Sequence, residues 1–540
     1  MLMPTTLFDA HARQRTWSPL SPHETVLVNA ELSKASDQLN ELESLMLSPE
    51  QEFHKLKAQK DKLLRHCHVH QSLLAPIRSL PLEILSEIFY HCTRIDIAYV
   101  EDRMLDMAAD VTTRSDVPVA ALSKVCSTWN IVLANSLYAW STICLSINLE
   151  DVPPLARISI DEARKVEQTL ARAVSRSGRS PLFISITCSQ LQSTKPMRKE
   201  QRCILDLLLD QCHRWKTANI ILDINSKDDW ILPKLSRHMP ILHSLTFFLE
   251  MTVDTDEEEP LGASGSFSDA PSLRHVTFNS LEALTVSQPV WESLRTLYID
   301  YDQRNELSPS SIANDILSKC KSLCALAWEG DFLENGDSVK SPVMLKASSI
   351  TGGAGVLDLI PQLVLPELKQ FSLTIDPPRS PHTFATVLDP QRSIITSLTI
   401  ISDSMGAIVY RHTTVETMFR DLGSLPVLQV LHLSHIHALS GPPSNFADIP
   451  LRFPMLEELS YAVNPLPHGQ STSTLVHNAL DLVQAFQQPE SGGENFPVLR
   501  KVYLKFTTIT LEEVQLSRIR GLRACGLYLE ARDVTGTVEL

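Results

Sequence analysis

Apolar residues recur at helical spacing in a short segment that follows the pair Leu80 and Pro81. Two stripes result, and their members are Leu82, Leu85 and Phe89 in the first and Ile84 and Ile88 in the second. A short helix needs only one apolar stripe to reach a core, so two adjacent stripes indicate two buried surfaces. We expect one stripe to pack inside the domain and the other to receive a partner. A helix that is buried on all sides of a larger fold has the same pattern.

A second helix and a strand are predicted further along the chain. Pro118 suits a first helical turn, and one face of the helix after it carries Leu122, Val125, Cys126, Trp129 and Leu133. After Trp140, apolar residues alternate with polar or small ones, which predicts a half-buried strand. Its apolar positions are Ile143, Leu145, Ile147 and Leu149. Residues 92–117, between the helices, are rich in aspartate, and we interpret them as a surface insertion.

The order Leu-Pro, Ile-Leu, Ile-Phe, Val-Cys, Trp, Trp over residues 76–149 resembles the F-box. F-boxes are small helical modules that dock on the Skp adaptor of cullin-based ubiquitin ligases. The resemblance implies an all-α F-box domain over 75–150, interrupted by the acidic insertion 92–117. It also implies a Skp-binding surface made or supported by Leu80, Pro81, Ile84, Leu85, Ile88, Phe89, Val125, Cys126 and Trp129. Leu80, Pro81 and Ile88 are the expected direct contacts, with Trp129 as the packing anchor beneath them.

The N-terminal part of the chain is predicted to contain a tail and two helices. Residues 1–23 carry three prolines and no clear period, so we expect a poorly ordered tail. Over 24–74 the apolar residues step by three and four, and the pair Ser48 and Pro49 divides the pattern into two helices. Three arrangements fit: a coiled coil that mediates self-association through residues 30–74, a helical hairpin, or surface helices that pack on the F-box.

A strand template, apolar-x-x-apolar-x-apolar, recurs from residue 242 onward, after helix-like and strand-like segments over 161–224. Its copies are 242–247, 273–278, 294–299, 323–328, 368–373, 395–400, 428–433, 456–461, 499–504 and, more weakly, 522–527. The template resembles the strand of a leucine-rich repeat. Proline stands two positions before six of the copies, which indicates a shared entry turn. The fold class expected is therefore α+β: helices and a small all-α F-box, then an irregular α/β repeat solenoid over 151–540 with a mostly parallel sheet.

Stacked repeats bury the first apolar residues of each template and leave the intervening positions outside. We expect these outward positions to bind a target protein, although a solvated face without a partner fits the same pattern. The target-binding candidates are Lys369, Gln370, Gln429, His432, Glu457, Glu458, Arg500 and Lys501.

Charge and composition exclude several classes of function. The formal net charge of −15 argues against a general nucleic-acid-binding role. The N-terminus has no basic head followed by an apolar stretch, and no apolar run approaches the ~20 residues of a membrane-spanning helix, so neither a signal peptide nor a membrane span is expected. Ten cysteines without Cys-x-x-Cys spacing suit reduced thiols. We expect an intracellular protein, cytoplasmic or nuclear.

Motifs for catalysis, metals or cofactors are weak. The glycines at 352–355 lack phosphate-binding spacing and predict a flexible loop. His66, Cys67, His68 and His70 have no second ligand pair for zinc, so we interpret Cys67 as a packing residue. The acidic run 254–259 predicts a solvated loop or, alternatively, a binding site for a basic substrate tail. We expect no enzyme, metal or cofactor.

By resemblance, then, the chain is expected to be a non-catalytic substrate-recognition subunit of an SCF-type cullin-RING ubiquitin ligase. The F-box would bind the Skp adaptor, and through it a cullin, and the repeats would hold an unknown target. Two alternatives stay open: an interaction scaffold without ubiquitin transfer, and an enzyme whose site lies on the concave face of the repeats.

Overall fold

A computed structural model describes the chain in two compact units, Met1–Asp228 and Asp229–Leu540. The described residues are 21–45, 50–93, 114–116, 118–148, 160–189, 199–225, 230–252, 267–278, 289–300, 309–329, 342–375, 394–402, 422–434, 452–463, 472–486, 499–506, 511–524, 526–533 and 536–537. The protein is α+β, and each unit contains a mostly parallel sheet. The acidic run 254–259 lies outside the described residues.

The first unit combines helices with a short sheet. Its helices are α1 (Pro22–Leu45), α2 (Glu50–Leu73), α3 (Leu82–Thr93), α4 (Pro118–Leu122), α5 (Ser127–Asn135), α6 (Ile160–Arg176) and α7 (Lys199–Leu209). Its strands are β1 (Arg114–Asp116), β2 (Thr142–Asn148), β3 (Leu182–Ser189) and β4 (Trp215–Asn225).

The helices α1 and α2 pack against each other through their apolar faces. Val28 and Ala35 are buried on α1, and Cys67 is buried on α2. The two helices lie on either side of residues 46–49, where the Ser-Pro pair predicts a break. Packing of α1 on α2 fits the hairpin among the three arrangements, and self-association stays a prediction.

The first helix begins earlier than the sequence pattern predicts. Residues 1–20 of the predicted tail lie outside the described part of the chain, but α1 already starts at Pro22. Ser21 and Glu24 form a reciprocal capping box: Ser21 Oγ accepts from the Glu24 N–H at 3.2 Å, and Glu24 Oε2 accepts from the Ser21 N–H at 2.8 Å. These two bonds satisfy backbone donors that the start of a helix otherwise leaves without partners, and the tail prediction is wrong for residues 21–23.

The sheet of the first unit starts inside the predicted insertion. Residues 94–113 lie outside the described ranges, but β1 pairs antiparallel with β2, with Arg114 opposite Ser146. Residues 114–116 of the predicted insertion are therefore joined to the sheet, because the edge of β2 provides backbone partners for them.

The parallel pairing in the first unit crosses the predicted F-box boundary at residue 150. β2 pairs with β3 and β3 with β4, and Ile143 lies opposite Ile184 in the register. The strands before and after residue 150 thus share one sheet. Between them, α6 ends at Arg176, and Gly178, two residues later, adopts a left-handed φ of 56° that suits the end of a helix.

The second unit repeats one strand many times. Its strands are β5 (Ser244–Thr252), β6 (His275–Phe278), β7 (Thr296–Asp300), β8 (Ala325–Glu329), β9 (Val343–Met344), β10 (Ser349–Gly352), β11 (Leu363–Val364), β12 (Gln370–Ile375), β13 (Ser397–Ser402), β14 (Val430–Ser434), β15 (Glu458–Val463), β16 (Lys501–Phe506), β17 (Tyr528–Asp533) and β18 (Gly536–Thr537). Its helices are α8 (Ile231–Lys234), α9 (Pro309–Asp315), α10 (Ala354–Leu359), α11 (Thr472–Ala485) and α12 (Glu513–Ala524).

The main sheet of this unit runs β5-β6-β7-β8-β10-β12-β13-β14-β15-β16-β17-β18, and β9 pairs separately with β11. All of the pairs from β5 to β17 are parallel, and β18 returns antiparallel on β17. A parallel sheet built from successive strands confirms the predicted class of fold for this part of the chain.

The apolar positions of the template align in rows across this sheet. The second apolar residue of each copy lies opposite the same residue of its neighbours, and the row is Leu245, Val276, Leu297, Leu326, Phe371, Leu398, Leu431, Leu459 and Val502, with Ile350 between Leu326 and Phe371. Every member is at most 2% exposed. The first apolar residues, from Leu242 to Leu499, are buried as well, so the burial predicted for both positions is confirmed for the first nine copies.

The recurrent proline has a structural cause. In five of the six copies with proline, the N–H of the first apolar residue donates to the carbonyl three residues earlier, for example Leu428 N to Leu425 O at 3.2 Å and Leu456 N to Phe453 O at 3.2 Å. Pro426 and Pro454 then occupy the second position of a β-turn, where the proline ring presets the required φ. The predicted entry turn is confirmed there and at Pro240, Pro271 and Pro366.

One repeat does not match the template, because small residues occupy two of its three apolar positions. The gap of 45 residues between the copies at 323 and 368 contains β10, with Ala347, Ile350 and Gly352 at the three apolar positions. A Cβ at Gly352 would lie 1.9 Å from the Trp328 carbonyl oxygen and 2.4 Å from Val356 Cγ2. Glycine is therefore needed where other copies carry a side chain. The flexible loop predicted at 352–355 is wrong, since these residues end β10 and begin α10.

The tenth copy of the template is misplaced in the sequence prediction. Residues 522–524 belong to α12, and the last parallel strand, β17, begins at Tyr528. Leu529 lies opposite Val502 in the register and takes the second apolar position. Leu522 is instead a residue of the helix α12. Over a few residues, the apolar spacing of a helix resembles the apolar spacing of the strand template.

Candidate functional site

The helix α3 carries the first candidate surface, and its inner face is well defined. Leu85 is 0% and Phe89 1% exposed, and α3 packs against α4, α5 and the 3-10 turn Tyr138–Trp140. The Phe89 and Trp129 rings lie with their centroids 4.7 Å apart, at an angle of 58°. Leu85, Phe89 and the half-buried Trp129 thus form the support of this helical cluster.

The outer flank of α3 is apolar and accessible. Ile84 is 49% exposed, Pro81 is exposed, and Leu80 and Ile88 are half-buried. Pro81 accepts from the Leu85 N–H through its carbonyl at 3.0 Å, so the helix begins directly after the Leu-Pro pair, as predicted. Leu82 shares a stripe with Leu85 and Phe89 in the sequence pattern, but it lies in the first turn of α3 and is 50% exposed.

The predicted second helix is interrupted. α4 ends at Leu122 and α5 begins at Ser127, with a turn over residues 123–125. Cys126 is extended, with φ −159° and ψ 169°, and its Sγ accepts from the Trp129 N–H at 3.4 Å as the N-cap of α5. The expectation of one helix with Val125, Cys126 and Trp129 on a single face is therefore wrong. Val125 lies in the turn and is 58% exposed.

Trp140 fixes the end of the helical cluster. Its Nε1 donates to the Leu133 carbonyl at 2.7 Å, and the Arg176 guanidinium carbon lies 4.5 Å from its ring centroid. The ring is buried, so both contacts form away from water. Through Trp140, α5 and α6 hold the turn that leads into β2.

The outward positions of the repeats form the second candidate surface. Four target-binding candidates lie along one line of backbone hydrogen bonds. Arg500 N donates to Glu457 O at 2.8 Å, and Glu457 N donates to Gln429 O at 2.9 Å. Thr396 continues the line, because Gln429 N donates to Thr396 O and Thr396 N donates to Lys369 O. Gln370, Glu458 and Lys501 share the next line of the register, and His432 lies two lines beyond them, past the buried line of Leu431. The structure places the eight predicted residues close together along the starts of successive strands, and none of them is buried.

Charges on this face are partly paired. Arg500 lies 3.7 Å from Glu457 and Lys501 lies 3.6 Å from Glu458, with each cation on the strand after its carboxylate. Side chains this exposed form weak, screened pairs worth ~0.2–1 kcal/mol, so a partner protein can replace them at little cost.

Sequence reasoning missed outward residues on β17 because it misplaced the tenth copy. Tyr528 lies opposite Lys501, and its ring centroid is 6.0 Å from that of Tyr503. Glu530 accepts from Arg532 Nε at 2.7 Å. The paired tyrosines add aromatic area, which is common in protein interfaces. The register of β16 and β17 was the signal needed to find them.

The cysteines and histidines do not gather into a metal site. Across the described ranges, no group of three or more His, Cys, Asp or Glu side chains could hold a metal ion. Burial raises the pKa of the Cys67 thiol and raises that of Cys320 to about 12, whereas a metal requires a thiolate. His70 is buried and its Nδ1 lies 2.9 Å from the His66 carbonyl oxygen, as a packed helix residue.

Comparisons with known proteins leave the family open. No protein-family model matches the chain, and no curated protein matches it at a significant level. In the portion of the chain that the structure describes, none of the helices has the length and apolar character needed to cross a membrane.

Proposed function

We propose that this protein is a non-catalytic substrate receptor of an SCF-type ubiquitin ligase. In this proposal the helical cluster around α3 is an F-box that binds a Skp adaptor, and the leucine-rich-repeat-like second unit binds a target protein. The observation that carries it is the two-sided character of α3: Leu85 and Phe89 are buried while Pro81 and Ile84 stay exposed. An apolar flank left in water on an otherwise packed helix favours a protein partner.

The mechanism follows from having the two surfaces in separate compact units. The first unit attaches the receptor to the ligase, and the second unit holds the target. Tethering raises the effective concentration of target lysines at the site of ubiquitin transfer without any chemistry by the receptor itself. The intracellular location, cytoplasmic or nuclear, and the lack of a cofactor belong to the same proposal.

The test is capture of a purified Skp adaptor by the full chain. We expect Leu80→Ala with Pro81→Ala to lose capture, because truncating one central interface anchor costs about 2 kcal/mol, roughly a 30-fold loss in affinity. Val26→Ala with Leu27→Ala is the matched control, since it removes two adjacent exposed apolar side chains from α1. This control should bind the adaptor like the original chain.

Circular dichroism of each variant separates docking from folding. The Leu80 and Pro81 variant should keep its melting temperature, whereas Trp129→Ala should lower it, because the ring contacts Phe89 inside the cluster. Full capture by the Leu80 and Pro81 variant would contradict the docking surface. Failure of the original chain to bind would contradict the F-box assignment, and adaptor binding without cullin co-purification would favour a scaffold.

A further inference from the structure

A second charged feature of the repeat sheet lies where its first strands begin. His243, Arg274 and Arg295 occupy the same position of three consecutive repeats, directly before β5, β6 and β7. Arg274 N donates to His243 O at 3.0 Å, and Arg295 N donates to Arg274 O at 2.8 Å, so the three backbones lie side by side. His275 follows Arg274 in the chain. We call these four residues the basic row.

Neutral partners hold two side chains of the basic row in place. Arg274 Nη1 donates to the carbonyls of Pro271 at 3.1 Å and Leu273 at 2.9 Å. His275 Nδ1 lies 2.8 Å from Thr296 Oγ1, and its ring centroid is 5.0 Å from that of His243. His243 and Arg295 are exposed, and Arg274 and His275 are half-buried. Contacts therefore position Arg274, His275 and the ring of His243, and Arg295 lies exposed on the next strand.

The charge of the row is not balanced by carboxylates of the described residues. The two neighbouring acids are already engaged: Glu292 pairs with Lys321 and Asp269 pairs with His238. Burial lowers the pKa of His275, and the charges of His243, Arg295 and Arg274 lower it further. Among the described residues, the charged groups that act on His275 are thus basic, and the lowered pKa keeps His275 itself neutral at pH 7. The positive charge of the row therefore comes from Arg274 and Arg295, in a chain whose net charge is −15.

We propose that the basic row binds an acidic peptide segment of a partner protein, through carboxylates that lie across the starts of β5, β6 and β7. This inference rests on the proposed function, because it gives the chemical class of the target that the repeat unit selects. The basic row lies at the first strands of the second unit, whereas the ion pairs formed by Glu457 and Glu458 lie near its last strands.

The spacing of the row favours a peptide over a single anion. Neighbouring strands lie ~4.8 Å apart, so three consecutive repeats spread their cations over about 10 Å. One phosphate or sulfate cannot touch both ends of such a row, whereas successive acidic side chains of one peptide can. Each guanidinium can donate two parallel N–H bonds to one carboxylate. The net negative charge of the whole chain disfavours a nucleic acid as the partner.

The experiment measures fluorescence anisotropy of the full chain with a labelled peptide that alternates glutamate with glycine and serine. We expect Arg274→Gln with Arg295→Gln to weaken binding about tenfold, as two exposed charge pairs are lost. Arg164→Gln with Arg172→Gln is the matched control, because it removes the same charge from exposed positions of α6. The control should bind like the original chain, and binding should weaken as salt is raised.

Specific outcomes overturn the inference. An equal loss in the Arg164 and Arg172 control would mean that only net charge matters. Equal binding of a glutamine version of the peptide, or binding only of a phosphoserine version or of single-stranded RNA, would exclude the carboxylate peptide. Skp adaptor capture is measured on the same variants: loss of peptide binding with intact capture leaves the proposed function standing, whereas failed capture by the original chain contradicts that function separately.

Discussion

Leu431→Asp is expected to unfold the second unit or to destabilise it by at least about 4 kcal/mol. Leu431 is 0% exposed and lies in the register between Leu398 and Leu459, so its side chain has apolar residues on both neighbouring strands. An aspartate there would be a buried charge without a partner, because the positions beside it in the row are leucines. The free energy of unfolding from urea titration, followed by circular dichroism, measures the loss.

Ser434→Asp is the control for that substitution. Ser434 belongs to the same strand, but the alternation of β14 leaves it half-buried on the outward side. It should change the unfolding free energy little. An unchanged urea midpoint for Leu431→Asp would show that the repeat assignment of this strand is wrong.

Gly352→Ala is expected to destabilise the second unit by about 3 kcal/mol, a large effect for one methyl group. The new Cβ would meet the Trp328 carbonyl oxygen at 1.9 Å and its carbon at 2.8 Å. Both atoms are backbone, and the same carbonyl accepts the Gly353 N–H at 2.9 Å. Relief of the clash therefore has to separate β8 from β10 instead of rotating a side chain.

Gly521→Ala is the matched control for this second prediction. Gly521 lies inside α12, and a Cβ there would meet nothing within 4 Å. Alanine favours a helix over glycine by up to about 1 kcal/mol, so the variant should be unchanged or more stable. Equal urea midpoints for Gly352→Ala and the original chain would contradict the close approach of the two strands.

The separation into two units makes the functional tests independent. The predicted Skp-binding residues lie in the first unit, and the outward face and the basic row lie in the second. A variant of α3 that loses the adaptor should keep peptide binding, and a variant of the basic row should keep the adaptor. These paired results distinguish loss of a surface from loss of the fold.

The sequence by itself determined which residues of most repeats are buried. A strand alternates its side chains between two faces, so the template apolar-x-x-apolar-x-apolar defines the inward positions without knowledge of the neighbours. The proline before six of the copies is an equally local signal, because its fixed φ suits one position of a turn. Helical spacing likewise predicted two stripes on α3, but the structure was needed to show that Leu85 and Phe89 are inside and Ile84 is outside.

Only the tertiary structure decided features that depend on a neighbouring strand or helix. The sequence did not show the repeat at β10, because the close backbone of Trp328 requires glycine at position 352, where other copies have an apolar side chain. Leu522 matched the strand template, but in the structure it belongs to the helix α12. The helix break at Cys126 arises because the Cys126 side chain caps the start of α5, and the spacing of apolar residues does not show such a cap. The basic row arises in the same way: His243, Arg274 and Arg295 follow one another at spacings of 31 and 21 residues, and parallel pairing alone brings them side by side.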